Sequence, residues 1–227
     1  MYICTQFMSH LLHIDTSTDI GTVAVSGNGT LLSVVHSEAA RNHAGAINLM
    51  IEDALQQANI SLKEIDAILA CAGPGSYTGL RIALATAKGI CYAKGKPLIL
   101  NNKLSLLALN ETDKHMTKTI ASVLIARENE YFVSIYNNNH MCLSEPIHVT
   151  EEELVELLKE RENLHIISDL SEADFYKLKV SFSSLNPNIT IDYNKWAVFG
   201  EDRYKCQDFV NLVNCAPFYL KQVYTHK

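Results

Sequence analysis

The decapeptide AGPGSYTGLR, residues 72–81, stands between two segments of opposite character. The apolar run Ile65–Cys71 leads into it and a helical run, Leu80–Lys94, leaves it. Three glycines, one proline and three hydroxyl side chains fit a sharp strand-to-helix turn. Glycine tolerates close backbone approach, and proline fixes φ. Such a turn leaves free backbone N–H groups at the helix start, which suit an anion or a tightly packed neighbouring chain. Two named phosphate loops do not fit. A Walker A loop needs GxxxxGK[ST], but Gly75 and Gly79 are one residue too close and Leu80 follows. The fingerprint GxGxxG fails at Thr78.

Working back from this turn, Leu11–Asp15 is a short apolar strand ending in a carboxylate, followed by the turn formers Thr16, Ser17, Thr18 and Asp19. Gly21–Ser26 and Leu31–His36 read as two further strands joined by the hairpin signal Gly27-Asn28-Gly29. In Asn42–Asn59, residues Ile47, Met50, Ile51, Ala54, Leu55 and Ala58 fall on one helical face. Ser61 and Glu64 have capping-box spacing. Ile65–Cys71, apolar almost throughout, reads as a strand buried on both faces.

Forward of the turn, small residues recur every four positions: Gly79, Ala83, Ala87, and again Ala85, Gly89, Ala93. That spacing lets a second helix approach closely, whether from the same chain or from a partner. Lys96-Pro97 ends the helix, Pro97–Leu100 is a strand, and Leu104, Leu107 and Ala108 suggest a helix. The first half therefore reads β-β-β-α-β-α-β-α, which implies a mixed sheet. Polar Thr112–Thr119 marks a boundary. Beyond it, Ile120–Ala126, Tyr131–Tyr136 and Met141–Val149 are strands. A capping box at Thr150 and Glu153 opens a helix to Lys159, Leu164–Ser168 is a strand, and Ser171–Lys177 is a short helix. This repeats β-β-β-α-β in shortened form. Residues 193–210 read as helix and Ala216–Tyr224 as an extended tail.

The 227 residues are 48% hydrophobic and 19% charged, ordinary for a globular protein with an ample core. A net charge of −6 argues against a broad nucleic-acid-binding face. Six scattered cysteines without a CxxC pair suit a reducing compartment. Residues 1–10 lack the pattern of a signal peptide and no apolar run reaches membrane-spanning length, so a cytoplasmic location is expected. Met8 is a candidate start, because Met1–Phe7 adds no recognisable element.

Catalytic patterns are sparse. Neither HExxH nor HxxxH occurs among the nine histidines, and His10 and His13 fall on opposite faces of a strand. His43, at the start of a helix, reads as a capping or interface residue. Ser76 is not in a GxSxG elbow, and Ser76 and Thr78 fit backbone caps. Asp15 alone makes a poor metal site.

Several segments together resemble the bacterial TsaB (YeaZ) family: HIDTST at 13–18, HAGAINLMIEDALQQANISLKEID at 43–66, AGPGSYTGLRIALATAKGICYAKGKPL at 72–98 and PFYLK at 217–221. The resemblance implies an α/β, actin-like (ASKHA, sugar kinase/Hsp70-type) fold of two lobes, each a mixed β-sheet with helices, the second reduced. The expected divisions are 8–111, 112–210 and a tail at 211–227. It also implies a non-catalytic subunit. Its partner TsaD, working with the ATPase TsaE, transfers threonylcarbamoyl from threonylcarbamoyl-AMP to an adenosine beside the anticodon in tRNA.

The TsaD family carries two metal-binding histidines four apart after a KPL-type strand. Here Lys103 and Leu107 stand at those places, and neither replaces an imidazole on a metal. No metal site is therefore expected. Departures from the TsaB pattern include Ile125-Ala126-Arg127 where Asp-Ala-Arg is usual, Arg41-Asn42-His43-Ala44 for Arg-x-His-Ser-Glu, and Tyr77 for Phe.

The resemblance places a partner interface on His43, Ile47, Met50, Ile51, Ala54, Gly79, Ala83 and Ala87, shared by a homodimer and a heterodimer with TsaD. It leaves Asp15, Thr16, Gly73, Gly75, Ser76, Thr78 and Gly79 as a vestigial nucleotide/phosphate loop. No cofactor is expected on this chain alone, while ATP or ADP at the interface with TsaD stays open. Contact with tRNA would be indirect. Two other readings stay open: an ATPase or phosphotransferase using Asp15 and the Gly73–Gly79 loop, and a glycoprotease-like metallopeptidase.

Overall fold

The meander expected at the start of the chain is present in the computed structural model, which describes residues 9–37, 42–111, 119–159, 161, 163–178 and 184–220. Strands β1 (His10–Asp15), β2 (Thr22–Gly27) and β3 (Thr30–His36) pair antiparallel. The β2–β3 turn has positive φ at both Asn28 and Gly29, the conformation that favours this residue pair in a tight hairpin. Helix α1 (His43–Gln57) crosses to β4 (Ala67–Gly73), which lies parallel to β1. Helix α2 (Tyr77–Lys94) leads to β5 (Leu98–Asn102), and the sheet order is β3-β2-β1-β4-β5.

Helices cover both faces of this sheet. On one face, Leu12, Ile14, Val23, Val25, Ile68 and Ala70 meet the apolar sides of α1 and α2. On the other lies α6 (Tyr193–Lys205), where Trp196 and Ala197 are fully buried. A Cβ on Gly200 would stand 2.5 Å from Leu69 and 3.1 Å from His13, so α6 packs close to the strands. Burial from both sides explains the unbroken apolar run of β4. After α6 the chain covers the free edge of β5: Val210 N–H donates to the Leu98 carbonyl at 2.9 Å.

The chain divides into two compact units, one reaching Asn101 and taking back Tyr193–Pro217, the other running from Asn102 to Asp192 and taking the chain from Phe218 onward. This differs from the expected division at 111/112 and the assignment of 193–210 to the second lobe. The reason is long-range packing: Trp196 donates to the Asn101 side chain at 3.1 Å and sits edge-on to His13. The polar boundary at 112–118, the residues before Ser9 and the end of the tail at 221–227 lie outside the described residues.

The second unit begins with α3 (Lys103–Ala108). It then repeats the plan with β6 (Thr119–Arg127), β7 (Glu130–Tyr136), β8 (Cys142–Thr150), α4 (Glu151–Lys159), β9 (Leu164–Ser168), α5 (Glu172–Lys177) and β10 (Ser184–Asn186). Its order, β10-β9-β6-β7-β8, is the first sheet's order read from the other end. The duplication extends one strand beyond the β-β-β-α-β legible in sequence. The reduction lies in the helices. Helices α4 and α5 have 9 and 6 residues where α1 and α2 have 15 and 18. Thr150 and Glu153 form their capping box, and Ser171 caps α5.

Gly89 lies in the middle of α2 with nothing within 4 Å of a built Cβ. Gly89→Ala is therefore expected to stabilise the protein by about 1 kcal/mol through helix propensity. Urea denaturation checks this; a loss of stability would mean that the helix surface there is not open.

Candidate functional site

The turn after β1 and the loop before α2 are packed into one another. Ser76 N–H donates to the Ser17 carbonyl at 2.8 Å, and Thr16 Oγ1 donates to the Gly79 carbonyl at 2.6 Å. A Cβ on Gly79 would lie 1.8 Å from the Thr16 carbonyl oxygen, and one on Gly75 2.5 Å from that of Ser17. Both glycines are thus required by backbone approach. The Gly73–Pro74 peptide is cis. Ser76 caps α2, its Oγ accepting from Gly79 N–H at 3.3 Å. Of the expected loop residues, Thr16 meets Gly79 directly, Gly75 and Ser76 lie against Ser17, and Asp15 is tied to the same turn through Ser17 N–H; Gly73 and Thr78 flank these contacts in sequence. The structure shows Ser76 N–H, Gly79 N–H and the Thr16 hydroxyl turned to internal partners.

Asp15 is buried at the end of β1. One carboxylate oxygen accepts from Ser17 N–H at 2.8 Å, and the other lies 3.5 Å from the Tyr193 hydroxyl at the start of α6. Burial pushes the Tyr193 phenol well above its ordinary value, and the neighbouring Asp15 charge adds to this. The phenol therefore stays protonated and donates. Two residues back on the same face of β1, His13 Nε2 is hydrogen-bonded to Ser26 Oγ at 2.8 Å, while Nδ1 has no partner among the described residues. Burial holds the His13 imidazole down to about 3, so the ring is neutral. Sequence reasoning missed Tyr193, Trp196 and Asn101 here, because each reaches the site from far along the chain.

The expected interface residues need correction. His43, Ile47, Met50, Ile51, Ala54, Gly79, Ala83 and Ala87 are all buried within the first unit. Ile47, Met50, Ile51, Ala54, Ala83 and Ala87 belong to the core cluster under the sheet. His43 ties α1 to the first turn, its Nε2 lying 2.8 Å from the Thr18 carbonyl oxygen. Small side chains at Ala83 and Ala87 let α2 lie close on β4, so this repeat serves packing within the chain. The outward faces carry other residues: Leu49 (64% exposed) on α1, and Arg81, Ala85, Gly89 and Tyr92 (87% exposed) on α2. The guanidinium of Arg81 stacks 4.0 Å over the Tyr77 ring on that face.

In the second unit, Lys103 and Leu107 of α3 are both buried. Lys103 lies within electrostatic reach of Asp169, which accepts from Ile125 N–H at 2.9 Å. Among the described residues, no three His, Cys, Asp or Glu side chains gather as metal ligands. Nor, among them, is any helix long and apolar enough to cross a membrane.

A five-stranded mixed sheet built twice in one strand order, with helices on its faces, places this chain in the actin-like α/β class. Its fold matches YeaZ from Pseudomonas aeruginosa with a TM-score of 0.78 at 22% identity, over 94% of this chain and 100% of that one. A more distant match is the activator of the 2-hydroxyisocaproyl-CoA dehydratase from Clostridium difficile, solved with bound ADPNP. There the TM-score is 0.51 at 9% identity, over 90% of this chain and 98% of the other.

Among curated proteins, TsaB of Haemophilus influenzae, a tRNA threonylcarbamoyladenosine biosynthesis protein, is 31% identical over 124 residues. The match covers 55% of this chain and 52% of that protein. The tRNA N6-adenosine threonylcarbamoyltransferase of Rhizobium leguminosarum bv. trifolii is 41% identical over 119 residues, 44% of this chain and 33% of the relative. The chain thus spans about a third to a half of the length of these relatives. A family model described as TsaD, tRNA N6-adenosine threonylcarbamoyltransferase, matches residues 31–219. The chain belongs to this TsaD/TsaB (YeaZ) family.

Proposed function

We propose that the chain is a non-catalytic subunit in the formation of N6-threonylcarbamoyladenosine in tRNA, activating a TsaD partner that carries the chemistry. The observation that carries this reading is the pair Lys103 and Leu107. They stand where TsaD has its metal-binding histidines, and both are buried in the second unit. An ammonium and a hydrocarbon offer no lone pair to a metal. A subunit without chemistry acts through contacts that favour one conformation of its partner.

The face available for those contacts is the outward side of α1 and α2. Leu49 and Tyr92 are large exposed anchors there, and Ala85 and Gly89 allow close approach of a partner helix. A homodimer through the same face would compete with the TsaD complex. TsaE joins the ternary assembly, the place for ATP or ADP is where TsaD meets this chain, and tRNA is contacted through TsaD.

Titration calorimetry with the cognate TsaD tests this. Gly89→Trp and Leu49→Glu are expected to weaken the complex by about 30-fold or more, roughly 2 kcal/mol, without lowering Tm. Undiminished affinity in both variants would remove the docking face. The buried Ala83 is unsuitable for such a test, because a bulky residue there would disrupt the core.

A further inference from the structure

The actin-like class includes nucleotide binders, as the ADPNP-bound activator shows for itself. To hold a magnesium nucleotide, the turn after β1 would need a carboxylate free for a hydrated magnesium ion and N–H groups open to phosphate. We infer that the Asp15–Thr18 turn does not take a magnesium nucleotide, because groups of this chain already occupy it.

Three observations carry this. First, both Asp15 oxygens face internal groups, Ser17 N–H at 2.8 Å and the Tyr193 hydroxyl at 3.5 Å. A cation would have to displace the Tyr193 phenol, whose ring also packs edge-on to His36 and tilted against Trp196. Second, the loop before α2 fills the space over the turn. The Thr16 and Ser17 carbonyls lie against Gly79 and Gly75 at distances that exclude even a methyl group. Third, Ser76 N–H, a donor at the α2 start, is spent on the Ser17 carbonyl. Carbonyl oxygens packed this way present partial negative charge, the wrong sign for a phosphate.

Tyr193 is a positioning residue in this arrangement: it fixes the first turn of α6 on the carboxylate at the end of β1. Two measurements on the purified full chain test the inference. In calorimetry with Mg-ATP, wild type shows no saturable heat at millimolar ligand, or shows heat that Asp15→Asn leaves unchanged. Saturable binding that Asp15→Asn abolishes would overturn the inference. In a thermal double-mutant cycle, Tyr193→Phe and Asp15→Asn each lower Tm, and the double variant loses less than the sum of the two. Strictly additive losses would show that the two side chains are not coupled, and would overturn the role given to Tyr193.

Discussion

Gly79→Ala is expected to be the most damaging single-methyl change in the first unit. Its Cβ would fall 1.8 Å from the Thr16 carbonyl oxygen, and the obstacle is backbone, not the end of a flexible side chain. Relief would require moving the α2 start away from the β1–β2 turn. That would break the Thr16 Oγ1–Gly79 and Ser76–Ser17 hydrogen bonds. Losing both hydrogen bonds, one of them buried, and overpacking the junction should cost about 3 kcal/mol or more. For a chain of this size that corresponds to a Tm lower by roughly 10 °C. Thermal unfolding by circular dichroism measures it, with Gly89→Ala as the control that should gain stability. A Gly79→Ala protein as stable as wild type would mean that the two loops are not in contact.

Lowering the pH should weaken the first unit through His13. In the folded chain this imidazole takes up a proton only near about 3, against 6.5 when unfolded, because burial disfavours the cation. The unfolded state therefore binds more protons at every pH between these values. The contribution of a neutral His13 is complete above 6.5 and is lost as the pH falls toward the folded value. The full loss is on the order of 3–5 kcal/mol, or about 1.4 kcal/mol per pH unit. His13→Gln removes the titration while keeping a polar group beside Ser26. Urea denaturation between about pH 7 and pH 4.5 should show a slope shallower by close to one proton in the variant. Equal slopes would mean that His13 titrates alike in both states.

Much of the fold can be read locally. Period-two and period-3.6 patterns, the Asn28-Gly29 turn and the capping residues Ser76, Thr150 and Ser171 each act within a few residues, and the corresponding elements form. The glycine loop was legible as a turn of close approach, but not its opposite wall. That wall, Thr16 and Ser17, lies some 60 residues away and meets the loop through their carbonyl oxygens and the Thr16 hydroxyl, a pairing that no local pattern reveals.

The return of α6 to the first sheet was hidden for the same reason. Tyr193 and Trp196 meet Asp15 and Asn101 across gaps of 178 and 95 residues. The interface expectation failed differently. An amphipathic face carries one signal, apolar residues at helical spacing, whether it packs on its own sheet or on a partner. For α1 and α2 that face was needed inside. The outward sides carry a sparser set, Leu49, Ala85, Gly89 and Tyr92, visible only once the core is assigned.

The most direct test of the proposed role is threonylcarbamoyl transfer to tRNA by the cognate TsaD, assayed with TsaE and threonylcarbamoyl-AMP. Transfer is predicted to require this chain, to fail with a Gly89→Trp chain of unchanged Tm, and not to occur when this chain replaces TsaD. Transfer by this chain without TsaD, or full activity with the Gly89→Trp chain, would contradict the account.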